Sequence, residues 1–302
     1  MSFTIHFLES PAEMYAVEEL QRQVWGMDDF VPHHLLLTVA HNGGVLIGAF
    51  VEERMVGFVF GFPGLINTSD RPIVKHCSHM LGVHPEFEGR GIGFALKRAQ
   101  WQMVRRQGIE RITWTYDPLL SRNAYLNISR LGAVSNTYVR NMYGEMRGSL
   151  NRGLPSDRLQ VDQWVNSPRV NNRMRKRPRR KLDLAHYLSA GAEIINPTRL
   201  GEGGWPRPPD SPWIASALAE SLGESLPEHI PQPTIHLLEI PSDFQSIKAA
   251  DPELAITWRL HTRALLEEMF GRGYLITGFV YLRGENPRSF YVLSDGEMTL
   301  GA

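Results

Sequence analysis

The residues best suited to chemistry surround a glycine-rich turn. Gly89, Gly91 and Gly93 follow an apolar segment that ends at Val83, and they precede an amphipathic segment that begins near Ile92. We expect a strand, a tight turn and a helix in that order, with the three glycines adopting positive φ. The start of such a helix presents backbone N–H groups and about half a positive charge, which favours an anion. The turn is therefore a candidate phosphate site, and a purely structural tight reversal is the alternative.

The spacing of these glycines excludes two common phosphate sites. A dinucleotide-binding G-x-G-x-x-G fingerprint that starts at Gly89 and Gly91 would need a third glycine where Phe94 stands. A P-loop would need Gly-Lys followed by Ser or Thr, a sequence that the chain lacks.

The stretch resembles motif A of the GCN5-related N-acetyltransferase (GNAT) superfamily. In that family a Leu-x-Val-x-Pro strand precedes a Gln/Arg-x-x-Gly-x-Gly/Ala turn. Here the strand is Leu81-Gly82-Val83-His84-Pro85 and the turn is Glu88-Gly89-Arg90-Gly91-Ile92-Gly93. Glu88 replaces the usual Gln or Arg, whose backbone N–H serves the family. The resemblance implies that the turn binds the pyrophosphate of coenzyme A, and that Leu81 to Val83 hold the pantetheine arm.

The segment from Ser121 to Ala133 resembles the next helix of the family, which reads Asn-x-x-Ala-x-x-Leu-Tyr-x-Lys-Leu-Gly-Phe. The aligned residues are Ala124, Arg130, Leu131 and Gly132. The residues that we expect to bind coenzyme A are Leu81, Gly82, Val83, Glu88, Gly89, Arg90, Gly91, Ile92, Gly93 and Asn123.

The general acid is the harder residue to assign. The family usually places a tyrosine four residues before the Leu-Gly glycine, but Ile128 stands there and cannot donate a proton. Tyr125 lies one turn earlier and is the candidate acid. The alternatives are a tyrosine of the core and a thiolate that leaves without help from the protein.

His79 is the candidate base. Strand alternation places it on the face of Leu81 and Val83, with Cys77 on the same face and His76 on the opposite one. A neutral imidazole near pH 7 suits the deprotonation of an amine, and in the arylalkylamine branch of the superfamily a histidine at this position does so. A hydrogen-bonded core histidine is the alternative.

Composition limits the other classes of function. The chain has 302 residues, with 32 Lys and Arg balanced by 32 Asp and Glu, so its overall charge does not favour nucleic acid. The single cysteine, Cys77, excludes an internal disulfide and cysteine-rich zinc sites, and we expect no metal. The first residues do not resemble a signal peptide, and no apolar run reaches the roughly 18 residues of a membrane span. We therefore expect a cytoplasmic protein without a membrane segment.

The order of elements predicts an α/β (α+β) fold. Residues 1–148 should form a GNAT domain with a mixed, mostly antiparallel sheet flanked by helices, and residues 149–302 a C-terminal α/β extension. A strand, a helix and a strand between residues 234 and 282 suggest a degenerate half of the same fold. The basic run over residues 169–181 favours a solvated loop or a helix end more than a nucleic-acid or phosphate patch, because aromatic residues are not interleaved with it and the whole chain is neutral.

The combined features favour a coenzyme A-dependent N-acyltransferase. The expected donor is acetyl-CoA or another acyl-CoA, succinyl-CoA included, and the expected acceptor is a small-molecule amine such as an amino acid. These choices follow from a resemblance to a bacterial subgroup of acyltransferases with a C-terminal extension, and a homodimer is compatible with it. The alternatives are a non-catalytic acyl-CoA-binding protein that keeps the fold, and a nucleic-acid-associated protein that uses the basic run.

Overall fold

A computed structural model describes residues 2–26, 30–144, 153–175, 182–201, 203–210 and 235–296. The chain divides into two compact units. The first unit comprises residues 1–114 and 162–178, and the second comprises residues 115–161 and 179–302. The division at residue 148 stays a prediction. Residues 176–181 of the basic run lie outside the described residues.

The chain contains thirteen described strands and eight described helices, named here in chain order. They are β1 (Thr4–Phe7), α1 (Pro11–Trp25), α2 (His33–His41), β2 (Val45–Val51), β3 (Arg54–Ile66), β4 (Ile73–Val83), α3 (Ile92–Arg106), β5 (Arg111–Tyr116), α4 (Ser121–Ala124), β6 (Val134–Val139), β7 (Arg158–Trp164), α5 (Pro168–Met174), α6 (Leu184–Ser189), β8 (Glu193–Ile194), β9 (Arg199–Leu200), β10 (Pro206–Arg207), β11 (Ile235–Ile240), α7 (Phe244–Ala250), α8 (Pro252–Gly271), β12 (Tyr274–Leu282) and β13 (Arg288–Asp295). A 3₁₀ turn covers Pro85–Phe87, and a π-helix continues α4 over Tyr125–Arg130.

The first unit contains a sheet in the order β1-β2-β3-β4-β5. The pairs are antiparallel except for β4 and β5, which are parallel. The fold class and the order of elements that the sequence predicts for residues 1–148 are confirmed: strand, two helices, hairpin, strand, turn, helix, strand, helix and strand.

Helices cover both faces of this sheet. Met14 and Leu36, from α1 and α2, are fully buried in one cluster with Phe58 and Phe60 of β3. On the other face, a Cβ at Gly57 of β3 would lie 3.0 Å from Ile92, the first residue of α3. We name these the α1/α2 face and the α3 face. Phe58 and Phe60 point to the α1/α2 face. Gly57 and Gly61 belong to the α3 face, because side chains alternate along a strand.

The start of α1 follows from its sequence. The Ser10 hydroxyl accepts a hydrogen bond from the backbone N–H of Glu13, and the Glu13 carboxylate accepts one from the backbone N–H of Ser10. This capping box, with Pro11 at the first helical position, satisfies donors that a helix start leaves without partners.

A buried carboxylate of α1 caps α2. Glu18 is 8% exposed and accepts hydrogen bonds from the backbone N–H of His33 at 2.8 Å and from His33 Nδ1 at 2.9 Å, and it also pairs with Arg22. The hydrogen bond from the backbone N–H of His33 is the main reason that the pKa of Glu18 falls to about 2. Glu18 therefore fixes where α2 begins.

The second unit contains a sheet in the order β6-β12-β13-β11-β8, in which only β11 and β8 are parallel. Its C-terminal part has the predicted order of strand, helix and strand, in β11, α8 and β12. The pairing differs from that of β4 and β5, because β13 lies between β11 and β12. A relation to half of a GNAT fold stays a proposal.

Polar contacts join the early and late parts of the second unit. Arg259 is 2% exposed and donates to both carboxylate oxygens of Asp117, at 2.8 and 2.6 Å. The hydroxyl groups of Tyr116 and Tyr291 lie 3.1 Å apart, and Tyr291 donates to the carbonyl oxygen of Pro118 at 2.7 Å. Residues on either side of residue 148 thus share one core.

Candidate functional site

The glycine-rich turn has the backbone conformation expected of an anion site. Gly89 has φ +75°, and Gly91, which caps α3, has φ +83°. No atom lies within 4 Å of a Cβ built on either residue. Glycine is therefore required here by the left-handed conformation, and the space in front of the backbone is open to a ligand.

The first turn of α3 is built without a side-chain cap. Its first backbone hydrogen bond runs from the N–H of Ala95 to the carbonyl of Gly91 at 3.1 Å, so the preceding amides do not bond within the helix. Gly93 differs from the prediction: it lies inside α3 and does not have positive φ, because the chain is already helical there.

Cationic side chains stand beside the turn. The guanidinium carbon of Arg90 lies 5.1 Å from the centre of the Phe87 ring, and that of Arg54 lies 5.4 Å from the same ring. Arg54 also approaches Glu86 at 3.3 Å. The helix start and these guanidinium groups together favour negative charge in front of the turn.

The strands β4 and β5 separate just before the turn. Their parallel pairing joins His76 to Ile112 and Cys77 to Thr113, and it ends there. On its other edge β4 continues to pair with β3 as far as Val83. The edge of β4 from Ser78 to Val83 therefore offers backbone groups to an extended ligand. We call this place the fork.

His79 occupies a β-bulge in β4. Met80 pairs with Phe60 and Ser78 pairs with Gly61, so His79 is the extra residue between them. Its ring lies 5.9 Å from the rings of Phe60 and Phe62. His79 is therefore on the α1/α2 face.

This position corrects one prediction. Leu81 pairs with Val59 and Val83 pairs with Gly57, which places both residues on the α3 face, opposite to His79. The predicted shared face was wrong because the bulge inserts one residue and reverses the alternation. Cys77 pairs with Phe62 and shares the α1/α2 face with His79, as predicted, whereas His76 shares the face of Leu81 and Val83.

The environment of His79 suits a proton acceptor. The residue is exposed, but the protein atoms around the ring partly desolvate it and lower its pKa below the usual 6.5. The imidazole is therefore mainly neutral at pH 7. A neutral imidazole that reaches solvent can take a proton from an amine.

A buried polar cluster lies on the α3 face. Lys97 is 4% exposed, and its Nζ donates to Ser78 Oγ at 2.7 Å and to Gln100 Oε1 at 3.3 Å. The same Nζ lies 3.7 Å from the centre of the Trp114 ring. Gln100, fully buried, also contacts His76 Nε2 at 3.2 Å.

The sequence carries a signal for this cluster. The spacing of Ile92, Leu96, Ala99 and Met103 predicts an apolar stripe along α3, yet Ala99 and Met103 are only partly buried. The buried face instead includes Lys97, Gln100, Trp101 and Val104. Lys97, Gln100, Trp101 and Val104 follow the i, i+3, i+4, i+7 spacing of one helix face, so a helical projection places Lys97 and Gln100 on the same face as two buried apolar residues.

Two predicted site residues belong to the second unit. Asn123 lies in α4, and Tyr125 begins the π-helix that follows it. Ile128 is fully buried, so it contributes packing and no proton. The first unit thus brings together His79, the β4 residues and the turn, while Asn123 and Tyr125 lie outside that unit.

Within the described ranges, no group of three or more His, Cys, Asp or Glu residues is arranged to hold a metal ion. Among the described helices, none has the length and apolar character needed to cross a membrane.

Comparison with known proteins yields a family match over the first part of the chain. The model of the acetyltransferase (GNAT) family matches residues 8–126. No curated protein matches the chain.

Solved structures with a similar fold share little sequence with this chain. The ribosomal-protein-S18-alanine N-acetyltransferase of Escherichia coli is 15% identical, with a TM-score of 0.44 over 55% of this chain and 96% of that chain. YncA of Salmonella typhimurium, solved with its cofactor acetyl-CoA, is 18% identical, with a TM-score of 0.43 over 55% and 96%. Ard1 of Thermoplasma volcanium is 17% identical, with a TM-score of 0.42 over 55% and 100%.

Proposed function

We propose that this protein transfers an acetyl or succinyl group from coenzyme A to the amine of a small molecule, such as an amino acid. The match of residues 8–126 to the model of the acetyltransferase (GNAT) family supports acyl transfer from coenzyme A. The single observation that carries the proposal is the left-handed turn at Gly89 and Gly91, which opens onto solvent directly beside the fork. An anionic head held at the turn leaves an extended arm free to follow the edge of β4.

The pyrophosphate and the pantetheine arm of coenzyme A each have a complementary part of the first unit. The turn from Glu88 to Gly93 suits the pyrophosphate, with Arg90 as a flanking cation. The edge of Leu81, Gly82 and Val83 suits the amide groups of pantetheine, because it faces away from β3 and beyond the last rung with β5. Asn123 remains a proposed coenzyme A ligand from the second unit.

The chemistry requires an amine without its proton. Neutral His79 accepts a proton from the attacking amine, which bonds to the thioester carbonyl while the carbon–sulfur bond breaks. Because His79 lies on the α1/α2 face, the acceptor amine would approach β4 from that face. The proposed coenzyme A turn begins α3, which covers the opposite face. The two substrates would then meet across β4, which orients them for attack.

The second candidate function is a non-catalytic acyl-CoA-binding protein. Ile128 at the family's tyrosine position favours it, because the usual proton donor to the thiolate is missing.

A panel assay distinguishes the acyltransferase from the non-catalytic acyl-CoA-binding protein. Acetyl-CoA and succinyl-CoA are incubated with amino acids, arylalkylamines, aminoglycosides and peptides, and free thiol is measured. We expect thiol release that depends on one class of amine. Coenzyme A binding in calorimetry, with no thiol release from any pair, supports the non-catalytic protein, and the absence of binding defeats both.

A further inference from the structure

Lys97 is a buried lysine placed at the point where β4 and β5 separate. Its Nζ contacts Ser78 at 2.7 Å, and Ser78 is the first residue of β4 after the last rung with β5. It lies 3.7 Å from the ring centre of Trp114, the first residue of β5 after that rung. The ammonium group therefore spans the base of the fork on the α3 face.

The surroundings of Lys97 do not neutralise its charge. Ser78 lies on β4, Gln100 lies on α3 and Trp114 lies on β5, and none of them carries a charge. His76 of β4 is a titratable group that senses this charge, and its pKa falls to about 3 through burial and repulsion by Lys97. Among the described residues, no carboxylate forms an ion pair with Lys97. A buried cation without an anion is costly, and such groups concentrate at functional sites.

The hydrogen bonds of the cluster leave room for one further acceptor. Ser78 donates its own proton to Gln100 at 2.8 Å, so both side chains present oxygen to Lys97. The third side of the ammonium faces the Trp114 ring, which is a weaker acceptor than an anion. Trp114 is only partly buried, so a group that enters the fork beside it can approach Nζ.

We propose that Lys97 acts on the sulfur of coenzyme A, stabilising the thiolate as it leaves and giving it a proton. This inference rests on the proposed function. Lys97 of α3 takes the role of general acid, for which Tyr125 was the candidate from the sequence. His79 then removes a proton from the amine on one face of β4, and Lys97 delivers a proton to the sulfur on the opposite face.

The step balances in atoms and electrons. The acceptor amine forms a carbon–nitrogen bond and loses one proton to His79. The electron pair of the carbon–sulfur bond goes to sulfur, which takes one proton from the Lys97 ammonium to form the free thiol. His79 then returns a proton to solvent and Lys97 regains one. Burial lowers the pKa of Lys97 to about 7, which suits a donor that must recharge near neutral pH.

The test compares Lys97→Met with Lys75→Met in the full chain. Lys75 lies on β4 three residues before Ser78 and is only partly buried, so it controls for loss of a lysine close in sequence to Ser78 that is not the buried Lys97. Free coenzyme A is titrated onto each variant from low to high pH, and the ultraviolet absorbance of the thiolate gives the pKa of the bound thiol. Turnover and the KM for acyl-CoA are measured in parallel.

The expected results separate this inference from the proposed function. In wild type and Lys75→Met the bound thiol should ionise about one pH unit or more below the pKa of free coenzyme A in the same titration, and Lys97→Met should lose that shift. Turnover of Lys97→Met should fall about 100-fold, with little change in the KM for acyl-CoA. Lys97→Arg, which keeps the charge, should retain the thiol shift.

Three outcomes overturn the proposal. One is an unchanged thiol pKa in Lys97→Met that binds coenzyme A normally. A second is normal turnover of Lys97→Met. A third is loss of turnover in Tyr125→Phe alone, which assigns the acid to Tyr125. Failure of wild type to bind coenzyme A at all defeats the proposed function itself.

Discussion

The Nζ atom of Lys97 lies 2.7 Å from the hydroxyl oxygen of Ser78, and both residues are less than 7% exposed. This contact joins the helix that begins at the glycine-rich turn to the strand that carries the candidate base. A buried lysine whose partners are neutral lowers the free energy of unfolding, because its charge is desolvated without an ion pair.

Lys97→Met should stabilise the protein at neutral and acid pH. Folding lowers the pKa of Lys97 from 10.5 to about 7, so the unfolded chain binds more protons between these values. Wild-type stability should therefore rise with pH across that window, by at most about 1.4 kcal/mol per pH unit. Below pH 7 the variant should be more stable by about 1 to 4 kcal/mol, and the gap should narrow as pH rises. Chemical denaturation at several pH values checks this, and a gap that widens with pH contradicts it.

Gly91→Ala should weaken coenzyme A binding by about tenfold or more, because alanine disfavours φ +83° and shifts the amides of the turn. The strain alone should cost about 1 to 2 kcal/mol. Gly108→Ala is the matched control, since Gly108 has φ +74°, has no atom within 4 Å of a Cβ and follows the other end of α3. Calorimetry should show normal affinity in the control, and equal losses in both variants would count against the turn as the binding site.

His79→Ala should lower turnover by about 100-fold or more while the KM for acyl-CoA changes little. The pKa of His79 lies below 6.5, so wild-type turnover should hold at pH 7 and decline only as the pH falls below that value. The variant should lose this acid limb of the pH profile. His41→Ala, at the end of α2, is the control. An unaltered pH profile in His79→Ala would remove the histidine as base.

Glu18→Gln should destabilise the first unit by about 1 to 3 kcal/mol, because a buried charged acceptor of the His33 backbone N–H is lost. Folding lowers the pKa of Glu18 from 4.5 to about 2, so its contribution is present above pH 4.5 and disappears as the pH falls towards 2. Glu19→Gln controls for the charge, since the Glu19 side chain is 61% exposed. Thermal unfolding at pH 7 and pH 3 should show a smaller difference between Glu18→Gln and wild type at pH 3.

Arg259→Met should destabilise the second unit by about 3 to 5 kcal/mol, because Asp117 loses its bidentate partner inside the protein. Arg140→Met removes the exposed ion pair with Glu267 and should cost less than about 1 kcal/mol.

A chain that ends at residue 148 lacks Arg259, Tyr291 and strand β12, and we expect it to be insoluble. A soluble and active 1–148 fragment would show that the C-terminal half is dispensable.

The local pattern was enough to predict most of the fold. Continuous apolar runs on both sides of a charged turn predict β2 and β3, and the alternation of Ile112, Trp114 and Tyr116 predicts β5. Ser10-Pro11 marks the start of α1, and Pro252 and Gly271 bound a helix that the structure has in the same place. These features depend on residues near one another in sequence, so a single chain is sufficient to identify them.

The glycine-rich turn was determined by the sequence itself, because positive φ at Gly89 and Gly91 requires glycine and a helix start follows within one residue. The face of His79 and the burial of Lys97 were decided by tertiary structure. A bulge depends on the register between β3 and β4, and the Lys97 contacts depend on how α3 packs against β4 and β5. Register and packing are set by partners distant in sequence, which strand alternation and helical spacing alone do not specify.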